Sequence, residues 1–446
     1  MTLDERLQNV AVVGAAGKMG SGIAALLAVE MAKLRARQEN RHKTYRLHCI
    51  DLNDAALDEL REYIKAQATK AAEKSIVSLR QLYEDRADLV ENYDVVETFT
   101  DTALGLLRPG VELVAAQNAH MVFEAIVEEK TAKVRLLRAL RGMCSEHTFF
   151  FTNTSSIPIG LLNAEADLGG RLIGYHFYNP PVVQKLVEVI APQGTVPELI
   201  TTAQELGTRL GKRLYPANDV AGFIGNGHFS RDGLYACREA QRLAPEFTLA
   251  GGMYLLNKVS QELLLRPMGI FQLIDYVGVD VFYLLLKVMN EHIKGEELRS
   301  ELIDRFYELG ILGGQRADGT QKDGILKYEK GKPVGIYDLE AKQYRSFDPD
   351  GWTGELDARL GAYPEGYRTW KDLAAARDRN EYLREFFRKL FASDTLGARL
   401  AKDYLRHSKE VGLKLVSSGV ANSADDVNGV LMNGFYHLYG AINDFV

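Results

Sequence analysis

Residues 10 to 27 constrain the fold of this chain more than any other stretch. Val10-Ala11-Val12-Val13 is a short apolar run, and Gly14-Ala15-Ala16-Gly17-Lys18-Met19-Gly20 follows it without a gap. Met19, Ile23, Leu26 and Leu27 then recur at helical spacing. A buried parallel strand, a tight glycine turn and a helix in immediate succession make the first unit of an α/β layer structure. Glycines let the backbone approach a ligand closely, and the free N–H groups of a helix's first turn face an anion, so this turn reads as a pyrophosphate cradle. Gly14, Gly17 and Gly20 follow GxxGxxG, one residue longer than the usual GxGxxG. A glycine run alone is a weak signal; its place between strand and helix gives it weight.

The next strand, Tyr45 to Ile50, ends in Asp51. A carboxylate there hydrogen-bonds an adenosine ribose and repels a 2′-phosphate, which favours NAD over NADP. Asp51 lies 31 residues after Gly20, whereas about 20 is typical. The excess is a basic stretch, AKLRARQENRHKTYR. A helix extension with a solvated loop is the preferred reading; a phosphate-binding patch is the sharper one.

A second constellation lies in Gly174 to Ile190, reading GYHFYNPPVVQKLVEVI. One strand carries His176, Asn179-Pro180-Pro181 turns the chain, and a second strand carries Glu188 between Val187 and Val189. Twelve residues is too far for one helical face, but strand–turn–strand brings the two side chains together. A carboxylate in a buried strand needs a partner. An imidazole is a suitable one, because the carboxylate fixes its tautomer and stabilises its cation, as a general base requires. The competing reading is a structural strand pair with a solvated Glu188.

With these features in order, the chain resembles the 3-hydroxyacyl-CoA dehydrogenase family, the NAD-dependent dehydrogenases of fatty-acid β-oxidation. The resemblance rests on six segments: the glycine turn with MGSGIA, Phe123 to Glu128, Thr152 to Ser156, Gly174 to Ile190, Asp219 to Asn226, and Arg266 to Gly278. It implies that His176 takes the proton from a substrate 3-hydroxyl, that Glu188 orients His176, and that hydride passes from C3 to the nicotinamide. It implies that Ser155 contacts the reacting oxygen and that Asn226 hydrogen-bonds the substrate. Glu128, Lys133 and Asn153 match positions near the cofactor. The competing structural readings are that Ser155 caps the following Ile157-Pro158 turn or helix and that Asn226 is a buried amide holding a helix start. The longer glycine loop, the insertion before Asp51, Gly227-His228-Phe229 after Asn226, and the stretch from Leu104 to Gln117 depart from the pattern. They bear on the substrate rather than on the reaction type.

The 446 residues allow two or three domains, and 46% hydrophobic with 26% charged residues fits a globular chain. A net charge of −6 indicates no general affinity for nucleic acid. Cys49, Cys144 and Cys237 have no metal-like spacing and suggest no disulfide framework, so no metal is expected and a reducing compartment is. The opening MTLDERLQNV has no apolar signal core and no run reaches membrane-span length, so the cytoplasm is the expected location.

Residues 1–217 alternate strands and helices, as a doubly wound Rossmann-type NAD-binding domain does. Leu57 to Asn92 reads as a polar helical pair whose Lys65, Lys70 and Lys74 either meet a CoA phosphate or form a solvated face, the second being preferred. From Asp219 the chain reads as all-α. By the resemblance, 218–325 is the family's helical C-terminal domain and 326–446 a divergent second copy, because Ala424 to Asn428, Gly434, Gly440 and Asn443 to Val446 echo Met268 to Val277. Gly313 to Asp350 reads as a flexible surface loop, with an anion site as the alternative. A second internal copy covers the apolar face through which short relatives dimerise, so a monomer is expected, with a homodimer as the alternative. The expected substrate is a small molecule, an acyl-CoA. Two other readings keep the fold: a dehydrogenase of a free hydroxy acid of the sugar-acid type, and a cofactor-binding protein that has lost catalysis.

Overall fold

A computed structural model describes residues 1–316 and 319–445; Ala317, Asp318 and Val446, the last residue of the C-terminal echo, lie outside the described residues. The chain divides into two compact units, Met1–Asp219 and Val220 onward.

The first unit is built on an eight-stranded sheet. Its strands are β1 (Asn9–Val13), β2 (Arg46–Ile50), β3 (Leu107–Gly110), β4 (Met121–Glu124), β5 (Phe149–Thr152), β6 (Leu172–Phe177), β7 (Leu186–Ile190) and β8 (Arg213–Ala217). Their order is β3-β2-β1-β4-β5-β6-β7-β8. β1 to β6 are parallel, β7 runs antiparallel to β6, and β8 is parallel to β7. Central strands covered on both faces must be apolar throughout. β4 and β5 obey this with MVF and FFF, and Phe123 stacks on Phe151 at 4.6 Å between ring centroids. Strand order reverses between β2 and β4 on either side of β1, so the crevice at the carboxyl end of β1 is the place for a ligand.

The helix after the glycine turn, Lys18–Ala36, runs on through most of the basic stretch and is followed by one 3₁₀ turn, Gln38–Asn40. The cations there have local partners: Arg41 pairs with Asp85, and Arg37 lies 3.7 Å from Asp4. The expected helical pair is one long helix, Asp54–Lys74, and a short one, Ile76–Leu82. Leu57, Leu60, Ile64, Ala68 and Ala72 form the buried stripe of the long helix, and Lys65, Lys70 and Lys74 are exposed. Leu107 to Gly110, inside the divergent stretch, supplies the edge strand β3.

The second unit is largely helical, with one departure from the all-α expectation. Inside Gly313 to Asp350, read as a loop, the chain forms an antiparallel sheet of β9 (Leu326–Glu329), β10 (Lys332–Asp338) and β11 (Gln343–Ser346). Lys330 and Gly331 both have positive φ, 49° and 76°, which is the backbone of a two-residue hairpin turn of matching twist. The Lys-Gly pairs that look like loop punctuation are hairpin chemistry. Gln315 and Gln321 form an isolated bridge beside it.

The second unit also repeats a piece of its own backbone. Gly225–Lys258 is two helices joined by a kink at Thr248, where φ is +65°. Leu396–Ser417 and Ala424–Gly434 are likewise two helices, separated at Gly419, where φ is +71°. Leu265 and Tyr436 both take positive φ, at 51° and 55°. Gly269 sits so close to Asn257 that a Cβ would lie 2.3 Å from its Oδ1, and Gly440 stands in the same relation to Asn428, at 2.1 Å. Asn257 Oδ1 accepts from the Gln272 N–H and Asn428 Oδ1 from the Ile442 N–H, each at 3.0 Å. The pairs 225 and 396, 248 and 419, 257 and 428, 265 and 436, and 269 and 440 share one offset. The features that share this offset begin at Leu396 in the second stretch, and buried residues of 220–325 and 326–445 belong to one core, from Ala221 to Leu438. No helix of the described residues is long and apolar enough to cross a membrane, and no group of side chains among them is arranged to hold a metal.

Candidate active site

The cradle forms where β1 meets the helix Lys18–Ala36. Gly14 has φ +81°, and a Cβ on it would lie 2.6 Å from the Ala125 carbonyl oxygen beyond β4. A Cβ on Gly20 would lie 1.9 Å from the Gly14 oxygen. Both positions therefore exclude every other residue, for reasons of turn conformation and helix–strand packing. Gly17 is the N-cap and donates its N–H to Gly14 O at 3.1 Å; Lys18 and Met19 stand in the first turn. Asp51 follows β2 directly, accepting from the Ala16 N–H at 2.9 Å through Oδ2 and from the Asn53 N–H at 3.1 Å through Oδ1. The loop and its acidic neighbour are thus one structure and fit a dinucleotide: a side-chain-free turn, helix N–H groups and a carboxylate directly after the second strand.

Next to the cradle, at the ends of β4 and β5, lies a buried ionic chain that sequence reasoning found only in part. Lys133 Nζ bonds Glu124 Oε1 at 2.6 Å, both side chains 1% exposed, and lies 3.5 Å from Glu128 Oε2, whose side chain is 26% exposed. Burial works against the Lys133 cation, but the two carboxylates outweigh it and raise its pKa. Burial likewise opposes Glu128, yet Lys133 and the surrounding donors hold it below the ordinary carboxylate range. Those donors belong to one loop. Glu128 Oε1 accepts from Thr154 Oγ1 (2.7 Å), the Ser155 and Ser156 N–H groups (2.9 Å each), Ser155 Oγ (3.2 Å) and Ser156 Oγ (2.9 Å). Thr152 Oγ1 donates to Glu124 Oε2 at 2.5 Å. Ser155 is therefore held by Glu128 rather than spent as a helix cap. Asn153 ties the same loop to the next strand, its Oδ1 accepting from the Phe177 N–H at 2.9 Å. Glu124 was legible by the logic applied to Glu188, a carboxylate ending an apolar strand.

β6 brings the third part. Alternation along the strand sends Tyr175 and Phe177 to one face, where Tyr175 donates its hydroxyl to Ala203 O at 3.0 Å, and His176 to the other. The register pairs His176 with Glu188, and paired residues of an antiparallel ladder point the same way. His176 Nδ1 and Glu188 Oε2 are 2.9 Å apart, with side-chain exposures of 8% and 0%. Tyr178, two residues past His176 and on its face, donates to the same Oε2 at 2.9 Å. The turn that follows contains a cis Asn179–Pro180 bond. Pro181 packs against Gly22 of the glycine-turn helix so closely that a Cβ there would lie 2.7 Å from its ring. Lys212 Nζ donates to Pro181 O and Gln184 O, at 2.5 and 2.7 Å, and fastens the turn; burial pulls this amine down to about 8. Asn226 stands apart in sequence, in the first turn of the helix that opens at Gly225 in the second unit.

Comparison with known proteins places both units of the chain in one family. Residues 9–220 match the model of the 3-hydroxyacyl-CoA dehydrogenase NAD binding domain, and residues 256–323 match that family's C-terminal domain. A probable 3-hydroxybutyryl-CoA dehydrogenase of Bacillus subtilis is 27% identical over 312 residues, covering 69% of this chain and 95% of that protein. The fatty acid oxidation complex subunit alpha of Shewanella oneidensis is 28% identical over 335 residues, 72% of this chain but only 42% of that longer protein. Among solved structures, (S)-3-hydroxybutyryl-CoA dehydrogenase from Ralstonia eutropha is 25% identical, with a TM-score of 0.55 over 73% of this chain and all of that one. The fold of 3-hydroxybutyryl-CoA dehydrogenase from Escherichia coli extends over 98% of this chain and 90% of that one, at 20% identity and a TM-score of 0.63. With a dinucleotide cradle at its switch point and family matches in both units, the chain belongs to the 3-hydroxyacyl-CoA dehydrogenase family, oxidoreductases whose cofactor is NAD.

Proposed function

We propose that this chain oxidises an L-3-hydroxyacyl-CoA to the 3-ketoacyl-CoA, with His176 as the general base. The observation that carries the reading is the buried pair of His176 Nδ1 and Glu188 Oε2 at 2.9 Å. An ionised Glu188 accepts only from an Nδ1–H, which leaves the lone pair on Nε2 as the base. Nε2 takes the 3-hydroxyl proton, the C3–H bond gives up its electron pair as hydride, and the C–O bond becomes a carbonyl. NAD, when bound, supplies the hydride acceptor. Glu188 stabilises the imidazolium that forms. Ser155, held by Glu128, offers its hydroxyl near the reacting oxygen, and Asn226 hydrogen-bonds the substrate. Gly14, Gly17, Lys18, Met19, Gly20 and Asp51 hold the dinucleotide, with Glu128, Lys133 and Asn153 on its nicotinamide side.

The decisive experiment incubates the purified chain with NAD and a short or a long L-3-hydroxyacyl-CoA and follows NADH. Turnover is expected, and the ratio of the two begins to set chain length. Silence with both, in protein that binds NADH, would reject the reading and leave the free hydroxy acid or the retired cofactor-binding protein.

We also read the domain plan as a Rossmann domain over 1–217, a first helical domain over 218–325, and a divergent second copy within 326–446 whose repeated part begins at Leu396. The first helices of the two copies pack together: Tyr235 lies 4.9 Å from Tyr404 and His228 bonds Ser408. These contacts support an internal use of the helical face, and we propose a monomer, with a homodimer as the alternative. A sedimentation mass of twice the chain would reject the monomer. Three free cysteines suit a reducing cytoplasm.

A further inference from the structure

We propose that Tyr178 is a positioning residue of the dyad. Its hydroxyl shares the carboxylate oxygen that His176 uses, and so sets how tightly the pair holds a proton and the pH at which alcohol oxidation and ketone reduction run. The inference rests on the reading of His176 as the base.

Strand geometry makes the arrangement. Residues 176 and 178 lie on one face of the extended chain, and Glu188 projects from the paired strand onto that face. Oε2 accepts from His176 Nδ1 and from Tyr178 Oη, each at 2.9 Å. Glu188 is fully buried, so each donor to Oε2 bears directly on how its charge is shared. The two rings lie 4.9 Å apart, centroid to centroid. Burial, and then Glu188, push the Tyr178 phenol well above its ordinary value, so it remains a donor throughout the working range. The other charged and titratable groups on the flanking strand β8 are Arg213 and Tyr215, the latter the register partner of Glu188. Lys212 belongs to the opposite face, 6.0 Å from the Phe177 ring centroid.

A donor to a carboxylate competes with the other donor for the same charge. With the phenol present, Glu188 pulls less on the Nδ1–H, and the imidazolium is less stabilised. With it removed, the carboxylate is the stronger acceptor and the pair holds its proton to higher pH. Oxidation needs the empty Nε2 and reduction needs the protonated ring, so the two directions respond oppositely at one pH.

The test compares the whole chain with Tyr178→Phe. The histidines are labelled and the His176 NMR titration is assigned by its loss in His176→Gln. Removing the hydroxyl is expected to move that midpoint up by about half to one pH unit, the scale of one typical net hydrogen bond. The acid limb of L-3-hydroxybutyryl-CoA oxidation moves with it, so oxidation below the limb falls about 3- to 10-fold, while acetoacetyl-CoA reduction at the same pH is kept or raised. Fluorotyrosine at 178 alone, a stronger donor of nearly equal volume, is expected to move the midpoint down, and serves if Tyr178→Phe fails to fold. A midpoint and limb unmoved in both variants would overturn the proposal. Turnover retained in His176→Gln would instead overturn the base assignment, whatever Tyr178 does to the titration.

Discussion

Each unit of this molecule buries a cluster of charge, and the two clusters differ in one respect. In the first unit, Glu124, Lys133 and Glu128 form a chain that starts fully buried and reaches a partly exposed carboxylate, which holds the Ser155 loop beside the cradle. In the second unit, Arg266 bonds Asp232 at 2.5 Å and Ser408 at 3.2 Å, and His228 bonds Ser408 at 3.1 Å. Arg266, Asp232, His228 and Ser408 are all buried. Burial alone would raise the Asp232 carboxyl, but Arg266 outweighs it and holds it low. Arg266 and His437 occupy equivalent positions of the two backbone copies, so this cluster lies where the copies meet. Buried charge by itself therefore does not mark a site. A site also needs an end of the network that opens onto a place where a ligand can stand.

The largest expected effect is on His176. His176→Ala should lower kcat by about 10²- to 10⁴-fold, the usual worth of a positioned base. NADH affinity and the melting temperature should stay near those of the parent, and an equal rate in steady-state kinetics would remove the base.

The second test sets the two clusters against each other. Arg266→Met and Lys133→Met each leave a carboxylate buried without its cation, and each should cost about 3–5 kcal/mol in urea unfolding. Only Lys133→Met should also weaken NADH binding in a fluorescence titration. If Arg266→Met weakened it equally, the distinction between a sealed and an open cluster would collapse.

A pH effect of intermediate size belongs to the sealed cluster. Burial, reinforced by Arg266, pulls the His228 imidazole down to about 4 against the opposing pull of Asp232, whereas an unfolded histidine titrates near 6.5. Between these values the unfolded chain binds the extra proton, so stability rises with pH across this window and is lost as pH falls through it. A loss on the order of 1–3 kcal/mol is expected from pH 7 to pH 4.5, and His228→Gln should shrink it. An unchanged loss would assign the acid sensitivity elsewhere.

The smallest effect expected is on the open end. Glu128→Gln keeps an acceptor for the Ser155 loop but removes its charge, and should weaken NADH binding by about tenfold, roughly 1.4 kcal/mol, with the fold intact. Tighter binding would show that the carboxylate repels the cofactor.

Much of this was legible before any coordinates. A strand, a glycine turn and a helix in succession admit few folds, and the Cβ clearances at Gly14 and Gly20 give the reason. His176 and Glu188 were legible because a period of two places them on one face once the strands pair, and an apolar strand does not carry a carboxylate without a partner. Glu124 obeyed the same rule and was passed over. The hairpin at Lys330-Gly331 was hidden because its residues serve loops and type I′ turns alike. The repeat was faint because its two copies share backbone conformations and one asparagine–glycine contact but few identical side chains.

Local order of residues, then, determined by itself the first-unit fold, the cofactor class and the pairing of His176 with Glu188, since each depends on short-range periodicity and on groups few residues apart. The tertiary structure alone decided which charges meet: that Glu128 holds the Ser155 loop, that Tyr178 shares the Glu188 oxygen, and that Arg266 is sealed between two copies of one backbone. Those outcomes depend on strand register and on contacts across up to 142 residues, where geometry rather than sequence spacing sets the distance at which charges act.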